Sequence, residues 1–244
     1  SLVPLESNPP MRLLAIGDLH GCARALETLL EAVAPAREDV VVTLGDYVNK
    51  GHDVRGVLAA LLHLARATTL VPLMGNHDEQ FLCALSEPDD LYLRSFGRRA
   101  LDSYGLDSTR YREFPSQDRG FLASCEPSHE TEAHLFVHAN AHPSRSLSEQ
   151  SPQLLRYTRL DPDQGPHSSG KTLICGHSAQ RDGRILDLGH TIGIDTYACG
   201  GQWLTCLDVQ SGQIWQANER GERRVGQRGD PLLSKGPDEV ARGY

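Results

Sequence analysis

Five apolar runs in this chain stop at the same kind of boundary: a small residue next to a side chain that can bind a metal or move a proton. MRLLAIG (11–17) runs into Asp18-Leu19-His20-Gly21, DVVVTLG (39–45) into Asp46, and TTLVPLMG (68–75) into Asn76-His77-Asp78. AHLFVHA (133–139) delivers His138, and KTLICGH (171–177) delivers His177. Short apolar runs without polar alternation read as strands buried on both faces. A carboxylate at the end of such a strand is poorly placed for stability, since Asp is a weak strand former and a buried charge needs a partner. A single strand-end Asp is ordinarily a helix N-cap, and a single His a structural residue. Five strand ends behaving alike call for a common cause.

Between the first three runs lie CARALETLLEAVA (22–34) and DVRGVLAALLHLARA (53–67), with apolar residues at helical spacing. The resulting β-α-β-α-β order predicts an α/β fold with a mostly parallel sheet, and ligand sites in such sheets lie at the carboxyl ends of the strands. Residues 79–132 are richer in Asp, Arg, Ser and Pro, and predict an inserted helical cap with helices around 79–85 and 91–104. RILDL, HTIGIDT, WLTCLDV and QIWQAN, within 184–217, predict short antiparallel strands. The expected domain therefore spans residues 11–217. Residues 1–10 are expected to be a disordered lead, and the charged, Gly-rich segment 218–244 a flexible tail.

Composition narrows the function classes. Of 244 residues, 39% are hydrophobic and 23% charged, which fits a soluble globular protein. A net charge of -8 without a basic stripe argues against a nucleic-acid polymer as partner. No apolar run reaches membrane-spanning length, and SLVPLESNPP lacks the basic start and apolar middle of a signal peptide. The six cysteines (Cys22, Cys83, Cys125, Cys175, Cys199, Cys206) show no paired spacing, so a reduced, cytoplasmic setting is expected.

The strand ends present Asp18, His20, Asp46, Asn76, His77, His138 and His177. Hard oxygen donors mixed with imidazole suit manganese, iron or zinc. Seven groups exceed one tetrahedral site. A two-metal site sharing a carboxylate accommodates them, and such sites clamp in-line displacement at phosphorus.

The motifs GDLHG, GDYVNKG and GNHD, followed by HA and GH, resemble the signature of the phosphoprotein phosphatase family of metallophosphoesterases over about residues 11–217. The chain is most similar to the bacterial, lambda-phage-phosphatase-like branch, which includes Ser/Thr/Tyr protein phosphatases and symmetrical diadenosine tetraphosphate hydrolases. The resemblance implies a four-layer α/β/β/α sandwich with an inserted helical cap. It implies that Asp18 and His20 bind a first metal, that Asp46 bridges, and that Asn76, His138 and His177 bind a second. Two divalent ions are implied, manganese first, with iron or zinc as alternatives, and they make hydroxide available near neutral pH. His77 takes the role of general acid. Lys50, Asn76 and Arg159 are the expected phosphate contacts, with Arg156 competing for the place of Arg159.

The chain also departs from that family. Its Ser/Thr phosphatases carry Asp-Arg where Asn49-Lys50 stands here. Asn49 can accept a hydrogen bond from His77 but supplies no charge, and Lys50 is a point charge without the fork of Arg. Asn140 stands where Gly is usual after HA, and is expected to take a left-handed turn conformation. Tyr197 replaces another Gly, and either lines the pocket or packs. The leading expectation is a serine/threonine or tyrosine protein phosphatase acting on a phosphorylated protein or small phosphoester. A dinucleoside polyphosphate hydrolase and a weakly active phosphate-binding pseudo-phosphatase are the alternatives.

Overall fold

The structure, a computed structural model, describes residues 11–87 and 90–240. The expected lead, residues 1–10, lies outside the described residues, as do residues 241–244. The chain alternates at first between β1 (Leu13–Ile16), α1 (Ala23–Val33), β2 (Val40–Thr43), α2 (Val54–Ala67) and β3 (Thr69–Pro72). A helical stretch follows: α3 (Asn76–Ser86), α4 (Asp90–Arg94), α5 (Arg98–Asp102) and α6 (Ser116–Ala123). Then come β4 (Ser128–Glu130), β5 (His134–Val137), α7 (Pro152–Tyr157), β6 (Thr172–Cys175), β7 (Ile185–Asp187) and β8 (Thr191–Gly193). The chain continues with β9 (Leu204–Asp208), β10 (Gln213–Ala217), β11 (Arg223–Gln227), β12 (Ser234–Lys235) and α8 (Pro237–Val240).

These strands form two six-stranded mixed sheets, ordered β11-β10-β9-β1-β2-β3 and β12-β7-β8-β6-β5-β4. β1, β2 and β3 run parallel in the first sheet, and β5, β6 and β8 in the second. Leu13 and Ala15 of β1 join Val42, Phe136, Ile174, Ile192 and Leu207 in the core between the sheets. Leu14 and Ile16 point the other way, into the helical core with Leu26, Leu29, Leu58 and Leu61. This burial on both faces is why the strands read as unbroken apolar runs. In α2, Val54, Val57, Leu58, Leu61 and Leu64 make the buried stripe, and Asp53 caps the helix by accepting a hydrogen bond from Gly56 N at 2.7 Å.

The expected sandwich is present, with a thin fourth layer: the outer face of the second sheet is covered by Leu147 and by Leu155 of α7 against Leu135, Val137 and Leu173. The helical cap packs into the same core as α1 and α2 through Phe81, Leu93, Leu101 and Phe121. It ends earlier than residue 132, because Ser128–Glu130 pairs antiparallel with β5 as an edge strand. The expected flexible tail is corrected more substantially. β11 extends the first sheet beside β10, β12 pairs with β7 in the second, and Leu233 is buried between the sheets.

Candidate metal centre

The loops after β1, β2, β3, β5 and β6 meet at one edge of the sandwich. His138 Nδ1 donates to Leu44 O at 2.7 Å, and His177 N donates to the Asp18 carboxylate at 3.1 Å. The small residue beside each polar group is a steric requirement. A Cβ on Gly75 would lie 2.2 Å from Asp46 Oδ1, and one on Gly176 would lie 2.1 Å from Asp18 Oδ1. Five non-glycine residues of these loops, His20, Asp46, Asn49, Lys50 and His177, hold left-handed φ values between 41° and 67°. Such conformations cost of order 1–3 kcal/mol each and gather at functional sites.

Asp46 belongs to two clusters of potential ligand atoms, one with His20 and His77, the other with His138 and His177. Within the first, His20 Nε2 lies 3.2 Å from Asp46 Oδ2 and 3.9 Å from Asp18 Oδ2. Within the second, His138 Nε2 lies 3.5 Å from Asp46 Oδ1 and 3.1 Å from Asn76 Oδ1. Backbone carbonyls fix the rings: His20 Nδ1 donates to Val48 O at 3.0 Å, His138 Nδ1 to Leu44 O, and His177 Nε2 to Tyr157 O at 3.2 Å. The other ring nitrogens of His20 and His138 face carboxylate and amide oxygens. Imidazole nitrogens gathered with hard oxygen donors around one carboxylate make a donor set that fits divalent metals. The geometry thus brings together His20, Asp46, His77, His138 and His177, with Asp18 beside His20 and Asn76 beside His138.

Charge points the same way. Asp18 is raised well above the usual carboxyl range by burial and then by repulsion from Asp195 and Asp46. Burial also opposes the charge of Asp46, but His138 and His20 outweigh it and hold that carboxyl well below the usual range. Burial lowers His77 and His177 to about 4, so both rings are neutral at pH 7.

Lys50 and Arg159 line a cavity of about 1020 Å³ that also reaches Asp46, His77 and His177. Lys50 Nζ stands 2.7 Å from His20 Nε2. Arg156 is instead tied to Glu79 at 2.5 Å, which decides between the two arginines in favour of Arg159 as the cavity residue. Asn49 Nδ2 faces His77 Nδ1 at 3.2 Å, so its amide nitrogen and not its oxygen meets the ring, contrary to expectation. Asn140 is also corrected. It is not among the residues with left-handed φ, and it works through its side chain, donating to Arg159 O at 3.2 Å and accepting from Ala141 N at 2.7 Å. It thereby clamps the segment that carries Arg159. Tyr197, at φ 63°, both lines the cavity and packs against Gly200, where a Cβ would meet its ring.

Two buried residues escaped the sequence reading. Asp78 accepts backbone hydrogen bonds from Gly75, Asp46, Tyr47 and Val48, at 2.7–3.2 Å, and staples the β2 and β3 loops together. Asp195 follows β8 and adds its charge beside Asp18. Its signal was the same strand-end pattern, in HTIGIDT.

Residues 11–181 match the calcineurin-like phosphoesterase family, and the chain belongs to it. A symmetrical bis(5'-nucleosyl)-tetraphosphatase from Acidovorax sp. (strain JS42) is 41% identical over 76 residues, which is 30% of this chain and 26% of that protein. The chain thus matches about a quarter of that curated relative's length. Two solved structures share the fold. A cold-active protein-tyrosine phosphatase of a psychrophilic Shewanella has a TM-score of 0.60 and 17% identity, covering 89% of this chain and 81% of that one. A protein serine/threonine phosphatase from Saccharomyces cerevisiae has a TM-score of 0.60 and 15% identity, covering 91% and 80%. No helix among the described residues is long and apolar enough to cross a membrane.

Proposed function

We propose that this chain is a two-metal phosphatase of protein or small-molecule phosphoesters that favours substrates with good leaving groups. The observation that carries the dimetal reading is Asp46, whose carboxylate belongs to both ligand clusters. In this reading His20, Asp46 and Asp18 hold one divalent cation, and Asp46, Asn76, His138 and His177 the other. Such cations, manganese first, supply Lewis acidity at the phosphoryl oxygens and hydroxide near neutral pH.

The chain's own residues do the rest. Lys50 and Arg159, both lining the cavity, attract phosphate oxygens. His77 N donates to Asp46 Oδ1 at 3.0 Å, which sets the ring beside the reaction centre. With Asn49 Nδ2 donating to its Nδ1, His77 keeps its proton on Nε2, the atom positioned to protonate a leaving oxygen. An amide gives no negative charge to stabilise an imidazolium, so little of His77 stands in the protonated, acid form near neutral pH. Aryl esters and phosphoanhydrides need little protonation on leaving, whereas the alkoxide of serine needs much. Phosphotyrosine peptides should therefore turn over faster than phosphoserine peptides.

The second reading is hydrolysis of a dinucleoside polyphosphate. Arg159 and Arg181 both line the cavity, and neither forms an ion pair among the described residues, so the cavity has cations free for further phosphates. The similarity to the Acidovorax tetraphosphatase also supports it. The free state of all six cysteines suits the proposed cytoplasmic setting.

The test is turnover by metal-stripped protein with Mn²⁺ restored, on p-nitrophenyl phosphate, phosphotyrosine and phosphoserine peptides, and diadenosine tetraphosphate. Asp46→Asn should lose Mn-dependent turnover by at least about a hundredfold and bind fewer metal ions by elemental analysis. Undiminished turnover in Asp46→Asn would refute the dimetal reading, and a preference for phosphoserine would refute the leaving-group argument.

A further inference from the structure

The Asn49 side chain is buried and its amide makes two directed contacts. Nδ2 meets His77 Nδ1 at 3.2 Å and the hydroxyl of Tyr92, on cap helix α4, at 2.9 Å. Oδ1 is buried without a hydrogen-bond partner. Both N–H bonds are therefore committed, and nothing holds the amide from its carbonyl side. The terminal torsion of Asn is broad and roughly two-fold, so side-chain contacts and not an intrinsic rotamer preference set the plane of the amide. One of those contacts is the histidine itself. The independent one is Tyr92.

We infer that Tyr92 is a positioning residue for His77, acting through the amide of Asn49. The cap thereby supplies the restraint that a carboxylate at position 49 would supply by charge. The geometry is suited to this: Tyr92 is half-buried, and its ring lies beside Phe96 with centroids 6.1 Å apart and close against Gly97 on the cap side. Tyr92 and Asn49 lie 43 residues apart, so the contact exists only when the cap is seated on the sandwich. The chain from cap to ring is Tyr92 Oη, Asn49 Nδ2, His77 Nδ1. It leaves the proton of His77 on Nε2, the ring nitrogen away from Asn49.

The inference rests on the reading of His77 as proton donor, and the experiment separates the two. Tyr92→Phe keeps the ring packing and removes the hydroxyl. In metal-loaded protein, kcat for an alkyl phosphate such as a phosphoserine peptide should fall about tenfold, part of what general-acid catalysis contributes. KM should be unchanged, and kcat for p-nitrophenyl phosphate should stay within about twofold, because that leaving group needs no proton. In Asn49→Asp protein, where charge holds the ring, adding Tyr92→Phe should cost clearly less than it does alone. The readout independent of activity is ¹⁵N NMR of the His77 ring in metal-free protein. Wild type should show the Nε2–H tautomer, and Tyr92→Phe a shift toward a mixture. Equal loss on both substrates, or no loss with unchanged His77 signals, would overturn the role of Tyr92. An inactive wild type would instead count against the proton-donor reading, while the ring signals would still decide whether Tyr92 positions His77.

Discussion

Asp78 shows how much one carboxylate can organise. It accepts four backbone N–H groups, three of them from the loop that carries Asp46. An amide at this position offers one acceptor oxygen and sets an NH₂ against backbone donors. Asp78→Asn should therefore destabilise the fold by about 3 kcal/mol, the upper scale for leaving a buried donor unsatisfied. Urea denaturation would measure that loss, and calorimetric titration with Mn²⁺ should show weaker binding, since the Asp46 loop loses its staple. An unchanged midpoint would mean that water can replace the carboxylate. Arg156 and Arg159 also differ at this scale. In LLRYTR the sequence favours Arg159 over Arg156, and the structure agrees in placement: Glu79 of α3 holds Arg156 while Arg159 lines the cavity.

At the scale of elements, the C-terminal segment is the clearest departure from expectation. Its residues 223–227, RRVGQ, alternate between exposed and half-buried, as an edge strand does. Charged residues are what keep an edge strand from pairing with other molecules, so the composition that suggests disorder also suits a protected sheet edge. The anchor is Leu233, only 2% exposed, next to Leu232, which is 73% exposed. Leu233→Ala should cost about 3 kcal/mol, while Leu232→Ala should stay within about 0.5 kcal/mol. Thermal denaturation of the two variants is the check, and equal midpoints would show that the segment adds nothing to the core.

At the scale of the whole molecule, the sandwich gathers carboxylates that repel one another. Asp18 is raised by burial and by Asp195 and Asp46, and Asp78 is raised to about 7 by burial and then by Asp46. A carboxyl raised in the folded state contributes stability below its unfolded value of about 3.9 and loses it as pH rises through the folded value. Cations at the centre would remove that loss by offsetting the negative charge. His77 and His177, lowered to about 4, are already neutral above pH 5 and give up no proton to a metal. The rise in Tm on adding Mn²⁺ to chelator-treated protein should therefore be larger at pH 7.5 than at pH 5.5. Equal rises at the two values would mean that these carboxyls are ionised throughout.

The sequence alone determined the strands that end in donor groups, helices α1 and α2, the α/β class and the donors themselves, because each depends on local pattern. Burial on both faces writes an unbroken apolar run, helical packing writes a 3.6-residue stripe, and a ligand loop needs a small residue beside its donor. The tertiary structure decided what those donors do together. It placed Asp46 in both clusters, added Asp195 beside Asp18, and turned Asn140 from an expected left-handed turn residue into a clamp on the Arg159 segment. Such facts join distant positions, as in the 159 residues between Asp18 and His177 or the 43 between Asn49 and Tyr92. Local pattern says which side chains reach an edge of a sheet. Only the packing of the two sheets and the cap sets the distances between them.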